Sequence, residues 1–169
     1  FILWFKEILK EDVPLVGGGR FRLSGGRSRL FTMVVFYRGY HCPICKTYLR
    51  DLDGRLAEFE GLGVEALAVT SDSEDRATKT VAEWELATLP VGYGLSIEAG
   101  RAWGLYVSNA ISDKEPPRFI EPGLFLVRPD GTLYAGAVQT MPFARPGFGD
   151  VLAAIRFIKE RNYPARGDS

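Results

Sequence analysis

The chain has 169 residues, 46% hydrophobic and 12% aromatic, enough for one domain with its own core. Lys+Arg and Asp+Glu are each 21, so the formal net charge is zero, and no basic surplus recommends nucleic acid or an anionic membrane as a partner. No apolar run approaches a membrane span, and two closely spaced cysteines make no disulfide framework, so a cytoplasmic redox protein is expected rather than a secreted scaffold.

Residues 2–11 carry Ile2, Leu3, Phe5, Ile8 and Leu9 with charges between, the pattern of a short amphipathic helix that packs on the body of the protein or on a second copy. Lys6 and Glu7 come too early for a signal-peptide core. Pro14 and Gly17-Gly18-Gly19 mark a loop, Arg20–Leu23 alternates like an edge strand, and Ser24-Gly25-Gly26 turns, so 19–30 reads as a small hairpin. Residues 33–37 are apolar or aromatic without alternation, which suits a central strand covered on both faces. Gly39 breaks the run. Pro43 sits where a first helical turn accepts proline, and Cys45, Tyr48, Leu49, Leu52, Leu56 and Phe59 then recur as one apolar stripe.

Gly61 and Gly63 close that helix, and Val64–Thr70 is the next strand. Ser71-Asp72-Ser73 offers capping oxygens to a helix from Glu74 to Leu86 with Ala77, Val81, Trp84 and Leu86 inward. Leu89–Val91 enters a short strand or loop, and Ser96 caps a brief helix through Trp103. Residues 106–121 hold two adjacent prolines and no periodicity, and read as an irregular insertion. Pro122 leads into the strand Gly123–Val127, Asp130-Gly131 is a hairpin turn, and Thr132–Val138 returns. A last helix covers about 150–161 with Val151, Leu152, Ile155 and Ile158 on one face. The order predicts an α/β fold: a central mixed sheet, parallel at the front with helices on both faces, antiparallel at the back.

The chemistry concentrates in Cys42-Pro43-Ile44-Cys45, which holds the only two cysteines, at the joint between the apolar strand and its helix. A thiol at a helix N-terminus faces unsatisfied amide hydrogens and the positive end of the dipole, both of which favour thiolate, the nucleophilic form. A second thiol one turn on can resolve a mixed disulfide internally. Two small core residues are the bland alternative. A zinc site usually wants four soft ligands, against two cysteines and one histidine here. Beside the pair, His41 either favours thiolate or shuttles a proton, or is a loop residue without a role. Arg38 either adds positive potential or pairs with a surface carboxylate. Tyr37, Tyr40 and Tyr48 read as packing, Trp84 and Trp103 as core, and Met141-Pro142-Phe143 with Pro146 as a loop or the rim of a groove.

The pieces Cys-Pro-Ile-Cys after an apolar strand, Val64–Thr70 before Ser-Asp-Ser, Ala102-Trp103-Gly104-Leu105-Tyr106, and Gly123-Leu124-Phe125-Leu126-Val127 ahead of Asp130-Gly131 together resemble the thioredoxin fold. In detail they resemble its peroxiredoxin branch, the alkyl hydroperoxide reductase and thiol-specific antioxidant family. The resemblance implies an N-terminal helical extension (1–14), a thioredoxin-like domain (15–162) and a C-terminal tail (163–169). The family's peroxidase motif is Pro-x-x-x-Thr-x-x-Cys, with an arginine elsewhere that holds the peroxide. With Cys45 in the peroxidatic place, Cys42 stands for the threonine and Arg38 for the proline, and Pro122 replaces the arginine. The same positions are similar to thioredoxins, with Cys42 as the exposed first cysteine and Pro122 as a cis-proline facing the disulfide. The acid thioredoxins bury six positions before the first cysteine is here Phe36.

The resemblance therefore implies an oxidoreductase that reduces disulfides or peroxides. Either Cys42 attacks and Cys45 resolves, or Cys45 attacks a hydroperoxide and Cys42 closes the disulfide. Pro43, His41, Arg38 and Pro122 support the pair. No cofactor beyond the redox-active disulfide is expected, and the expected partners are a peroxide or disulfide substrate, a thioredoxin- or glutathione-type reductant and, as an open point, a second copy in a homodimer. A sensing or binding module that keeps the fold without turnover is the alternative.

Overall fold

The computed structural model describes residues 12–22 and 29–167. Its strands are β1 (Asp12–Pro14), β2 (Arg20–Arg22), β3 (Phe31–Phe36), β4 (Val64–Val69), β5 (Val91–Gly92), β6 (Val107–Asn109), β7 (Arg118–Ile120), β8 (Gly123–Val127) and β9 (Leu133–Val138). Its helices are α1 (Pro43–Gly61), α2 (Glu74–Glu83), α3 (Ile97–Ala102) and α4 (Phe148–Arg161). The central sheet runs β5-β4-β3-β8-β9. β3 pairs parallel with β4 and antiparallel with β8, so the sheet is mixed as the element order predicts.

β3 lacks alternation because both faces are covered, and all six of its residues are buried. Phe31, Met33 and Val35 join one core with Leu49, Leu52 and Phe59 of α1 and Leu152 and Ile155 of α4. Val34 and Phe36 join a second core with Trp103, Phe125 and Ile120. The apolar stripe of α1 thus meets the first face of the sheet. Truncating a filled position such as Phe59 to alanine typically costs about 3–5 kcal/mol.

Several elements differ from the sequence reading. Arg20–Arg22 pairs antiparallel with Asp12–Pro14 through a turn of three positive-φ glycines, Gly17 to Gly19, a pairing the sequence reading did not include, while the turn and return of the hairpin expected over 19–30 fall on 23–28, outside the described residues. The stretch 106–121 is not irregular throughout: β6 and β7 pair antiparallel, but each is three residues long, too short for a periodic signal. α2 ends at Glu83 rather than Leu86, because Glu85 turns to φ 56 and lets Trp84 and Leu86 both reach the core. The peptide bond before Pro122 is trans, since there is no cis bond among the described residues. The chain runs extended there: the Glu121 amide donates to Tyr106 O at 2.8 Å and Pro122 O accepts from the Gln139 amide at 3.1 Å. The helix expected over 2–11 lies outside the described residues. Ser73 and Ser96 cap α2 and α3 as expected.

Candidate functional site

β3 and β4 are parallel, so their C-terminal ends open on one edge of the sheet, and β8 begins at the same edge because Phe36 pairs with Gly123. Loops leaving this edge converge, the usual place for a site in such sheets. After β3 the chain stays buried through Tyr37 and then turns at Gly39, φ 138. The buried Asp72, just past β4, holds the turn: its Oδ2 accepts the Tyr40 amide at 2.8 Å and its Oδ1 accepts from Arg76 Nε at 3.0 Å. Asp72 therefore braces the loop, and the capping oxygen of α2 is Ser73 alone.

The bracing delivers Cys42 to the N-cap of α1, with Pro43 next in the first turn. Cys42 Sγ accepts the Cys45 amide at 3.2 Å. The two thiols therefore lie one helical turn apart at a helix start, as read from the sequence. The Cys42 thiol is lowered to about 7. The hydrogen bond from the Cys45 thiol is the largest cause; burial opposes it, and the Cys45 amide, Arg38 and Arg145 add to it. The Cys45 thiol moves the other way, raised by its own burial and then by the hydrogen bond it gives to Cys42 and by Cys42's charge. One sulfur is poised to ionise and the other to keep its proton.

Cys42 is not the exposed first cysteine the thioredoxin likeness implies. It is 2% exposed and Cys45 is fully buried, because the Gly39 turn and Asp72 draw the loop back onto the core. Ile44, between them, is 43% exposed. A groove of about 860 Å³ opens beside it, between Pro43, Ile44, Thr47 and Tyr48 of α1 and the segment Pro142–Arg145.

Of the other residues singled out in the sequence, Arg38 contributes positive potential to Cys42, and the carboxylates it faces, Glu115 and Glu121, lie inward rather than on the surface. Pro122 is buried at the start of β8, one step beyond the Phe36–Gly123 pair. His41 turns aside. Its ring packs edge-on to Phe119, its Nδ1 lies 3.4 Å from Arg76 Nη2, and burial first of all lowers its pKa, so it carries no charge to Cys42 at neutral pH.

Arg145 was not legible. Its Nη1 donates to Cys45 Sγ at 3.6 Å, from a position 100 residues further along the chain. Its guanidinium lies 4.1 Å over the Tyr48 ring, and the Tyr48 hydroxyl donates to Pro146 O at 2.7 Å, so α1 pins the segment at Arg145 and at the residue after it. Ala144 before it adopts φ 61, a conformation that costs a non-glycine residue about 1 kcal/mol or more and persists where its surroundings fix it. Only the Phe-Ala-Arg between two prolines signals it in the sequence. Arg145→Met is expected to raise the Cys42 inflection and lower kcat/KM by about tenfold, Arg145→Lys by less, as steady-state rates at pH 7 will show. Glu121, 2% exposed, is the second missed residue, and it supplies a buried acid that Phe36 does not.

A family model described as the AhpC/TSA family matches residues 10–135. Solved structures share the fold. Peroxidoxin BcpB from Mycobacterium tuberculosis superposes with a TM-score of 0.70 at 16% identity over 88% of this chain and 92% of that one. PrxQ from Xylella fastidiosa gives 0.71 at 18% identity over 93% and 92%. The bacterioferritin comigratory protein of Xanthomonas campestris gives 0.69 at 23% identity over 89% and 92%. No curated protein sequence matches the chain.

Proposed function

The chain belongs to the AhpC/TSA family, whose members are thiol-dependent peroxidases and antioxidants, and on that premise we propose that Cys42 is its attacking thiolate and Cys45 its resolving thiol. The observation that carries the assignment is the place of Cys42 at the N-cap of α1, where its Sγ accepts the Cys45 amide, with the two thiols displaced in opposite directions.

With a hydroperoxide, the Cys42 thiolate attacks the distal oxygen and the O–O bond breaks. Cys42 becomes a sulfenic acid and the alkoxide or hydroxide takes a proton from water. Cys45 then attacks the sulfenic sulfur, water leaves, and a disulfide closes. With a disulfide substrate, Cys42 forms a mixed disulfide, one thiol leaves, and Cys45 expels the other. An external dithiol or two monothiols, of thioredoxin or glutathione type, restore the pair and are themselves oxidised.

The second step uses the first. Once Cys42 is oxidised it carries no charge and takes no hydrogen bond from Cys45. Two of the three causes that raise the Cys45 thiol vanish, while Arg145 stays beside it. Cys45 thus gives up its proton more readily when it is needed as a nucleophile, with burial the one cause still opposing it. Because both sulfurs are buried, substrate reaches them by displacing the Pro142–Arg145 segment from α1. Tyr48→Phe removes the hydroxyl that ties Pro146 and is expected to speed Cys42 alkylation about threefold, measured with iodoacetamide at fixed pH.

The Arg145–Cys45 contact favours a second reading, in which Cys45 attacks peroxide and Cys42 resolves. Trapping of sulfenic acid by a dimedone-type reagent separates the two. One equivalent of hydrogen peroxide is expected to label Cys42 in Cys45→Ser, and to leave Cys45 unlabelled in Cys42→Ser. The reverse pattern establishes the second reading.

A further inference from the structure

Arg38 and Glu121 leave neighbouring strands at the site edge, on the far side of the pair Phe36–Gly123. Arg38 Nε lies 3.2 Å from Glu121 Oε2, and its Nη2 lies 4.0 Å from Glu115 Oε1. The Arg38 guanidinium also stacks 4.9 Å above the Phe119 ring. Glu121 is almost fully buried, and the Ser108 hydroxyl donates to its other oxygen at 2.6 Å. A buried carboxylate is costly to desolvate, and a hydrophobic residue of similar volume is often as stable at such a place. Nothing in the two-thiol chemistry described so far uses this acid.

We propose that Glu121 is a positioning residue that acts on Cys42 through Arg38, partly neutralising the guanidinium and so limiting how strongly Arg38 stabilises the Cys42 thiolate. The charged and titratable groups around Cys42 are Arg38, Arg145 and the Cys45 thiol. Those around Glu121 are Arg38, Glu115, Arg145 and the neutral Ser108. Arg38 and Arg145 belong to both sets, and Arg38 is the one in direct contact with Glu121. Burial raises the Glu121 pKa, while Ser108 and Arg38 pull it down, so the acid remains the responsive member of the pair. Glu121 does not merely hold Arg38 in place, because the Phe119 ring and Glu115 hold it as well. Removing the charge while keeping the shape therefore leaves the guanidinium at the site with more of its field directed at the sulfur. This role rests on Cys42 being the ionising thiol.

The test is the pH dependence of Cys42 alkylation by iodoacetamide in the full chain, followed by peptide mass spectrometry. Glu121→Gln preserves volume and hydrogen bonding, and is expected to move the Cys42 inflection down by about 0.5 pH units, about threefold faster alkylation at pH 6. In an Arg38→Met background the same change is expected to move it by less than half as much, the non-additivity that marks a shared pathway. An inflection that stays or rises in Glu121→Gln overturns the role, and so does an equal shift with and without Arg38. Should Glu121→Gln fail to fold by circular dichroism, Glu115→Gln is expected to shift the inflection in the same direction by a smaller step, and no downward shift there overturns the role too. An ordinary thiol inflection for Cys42 in the wild type defeats the assignment of Cys42 itself; a low wild-type inflection with unmoved variants defeats only the part given to Glu121.

Discussion

Replacing Cys42 by serine is expected to abolish both peroxide and disulfide reduction, a fall of about a thousandfold or more in kcat/KM. A serine hydroxyl at the same N-cap still accepts the Cys45 amide, so α1 keeps its cap and the fold is retained. What is lost is the ionisable sulfur. Cys45 does not take over, because its burial, the largest of the causes that raise its thiol, is unchanged in the serine variant and keeps both its proton and its inaccessibility. Cys45→Ser is different in kind. It keeps the first attack, so a single equivalent of peroxide or disulfide is consumed in a burst and turnover then stops at the sulfenic acid or mixed disulfide. Stopped-flow rates with stoichiometric and excess oxidant distinguish the two variants. The wild-type rate itself is expected to climb through a midpoint near pH 7, as Cys42 ionises, and to fall about tenfold per pH unit below it.

Gly39→Ala carries the largest expected effect on stability among changes at the site. A Cβ at this position would lie 2.6 Å from Asp72 Oδ2 and 2.9 Å from its Cγ. Asp72 is short, buried and tied to both the Tyr40 amide and Arg76, so it cannot swing clear without breaking those bonds. At φ 138 the backbone itself is strained for any side chain. Together these are expected to cost about 2–4 kcal/mol, read as a lowered denaturation midpoint in urea with an unchanged slope. The loop that presents Cys42 shifts with it, so the alkylation inflection of Cys42 moves back toward that of a free thiol. Gly54→Ala in α1, with open space at its Cβ and an ordinary helical φ, is the control and is expected to be neutral or slightly stabilising.

The front of the fold was readable from periodicity because its elements are long and bury whole faces. β3, α1, β4 and α4 each announce themselves by an unbroken apolar run or a repeated stripe. The dithiol was readable for the same reason, since proline and cysteine at the start of a helix are local facts. The short pairs β1–β2 and β6–β7 were not, because three residues carry too little pattern and the pairing is decided by what the neighbouring strands leave uncovered. The chemistry around the sulfurs was the least readable part. Arg145 and Glu121 reach the site from the far half of the chain, and only the antiparallel placement of β8 against β3 and the pinning of Pro146 by Tyr48 bring them there. Residue type alone left the place of His41 open, and next to Cys42 in sequence it faces Arg76 and Phe119. Departures from the family motif at Arg38 and Pro122 were visible as separate changes. In space, Arg38 meets Glu121, the residue before Pro122, so the two departures adjoin one ion pair.

Among the described residues no helix is long and apolar enough to cross a membrane. The walls of the groove beside Ile44 combine apolar surface with the Arg145 guanidinium.

The most direct measurement is the alkylation rate of each cysteine in the reduced wild-type protein between pH 5 and pH 10, resolved by peptide mass spectrometry. Cys42 is expected to react first at every pH, with an inflection near 7, while Cys45 stays unlabelled until the protein unfolds. Earlier labelling of Cys45, or two equal profiles with the inflection of free cysteine, contradicts the division of labour between the two sulfurs.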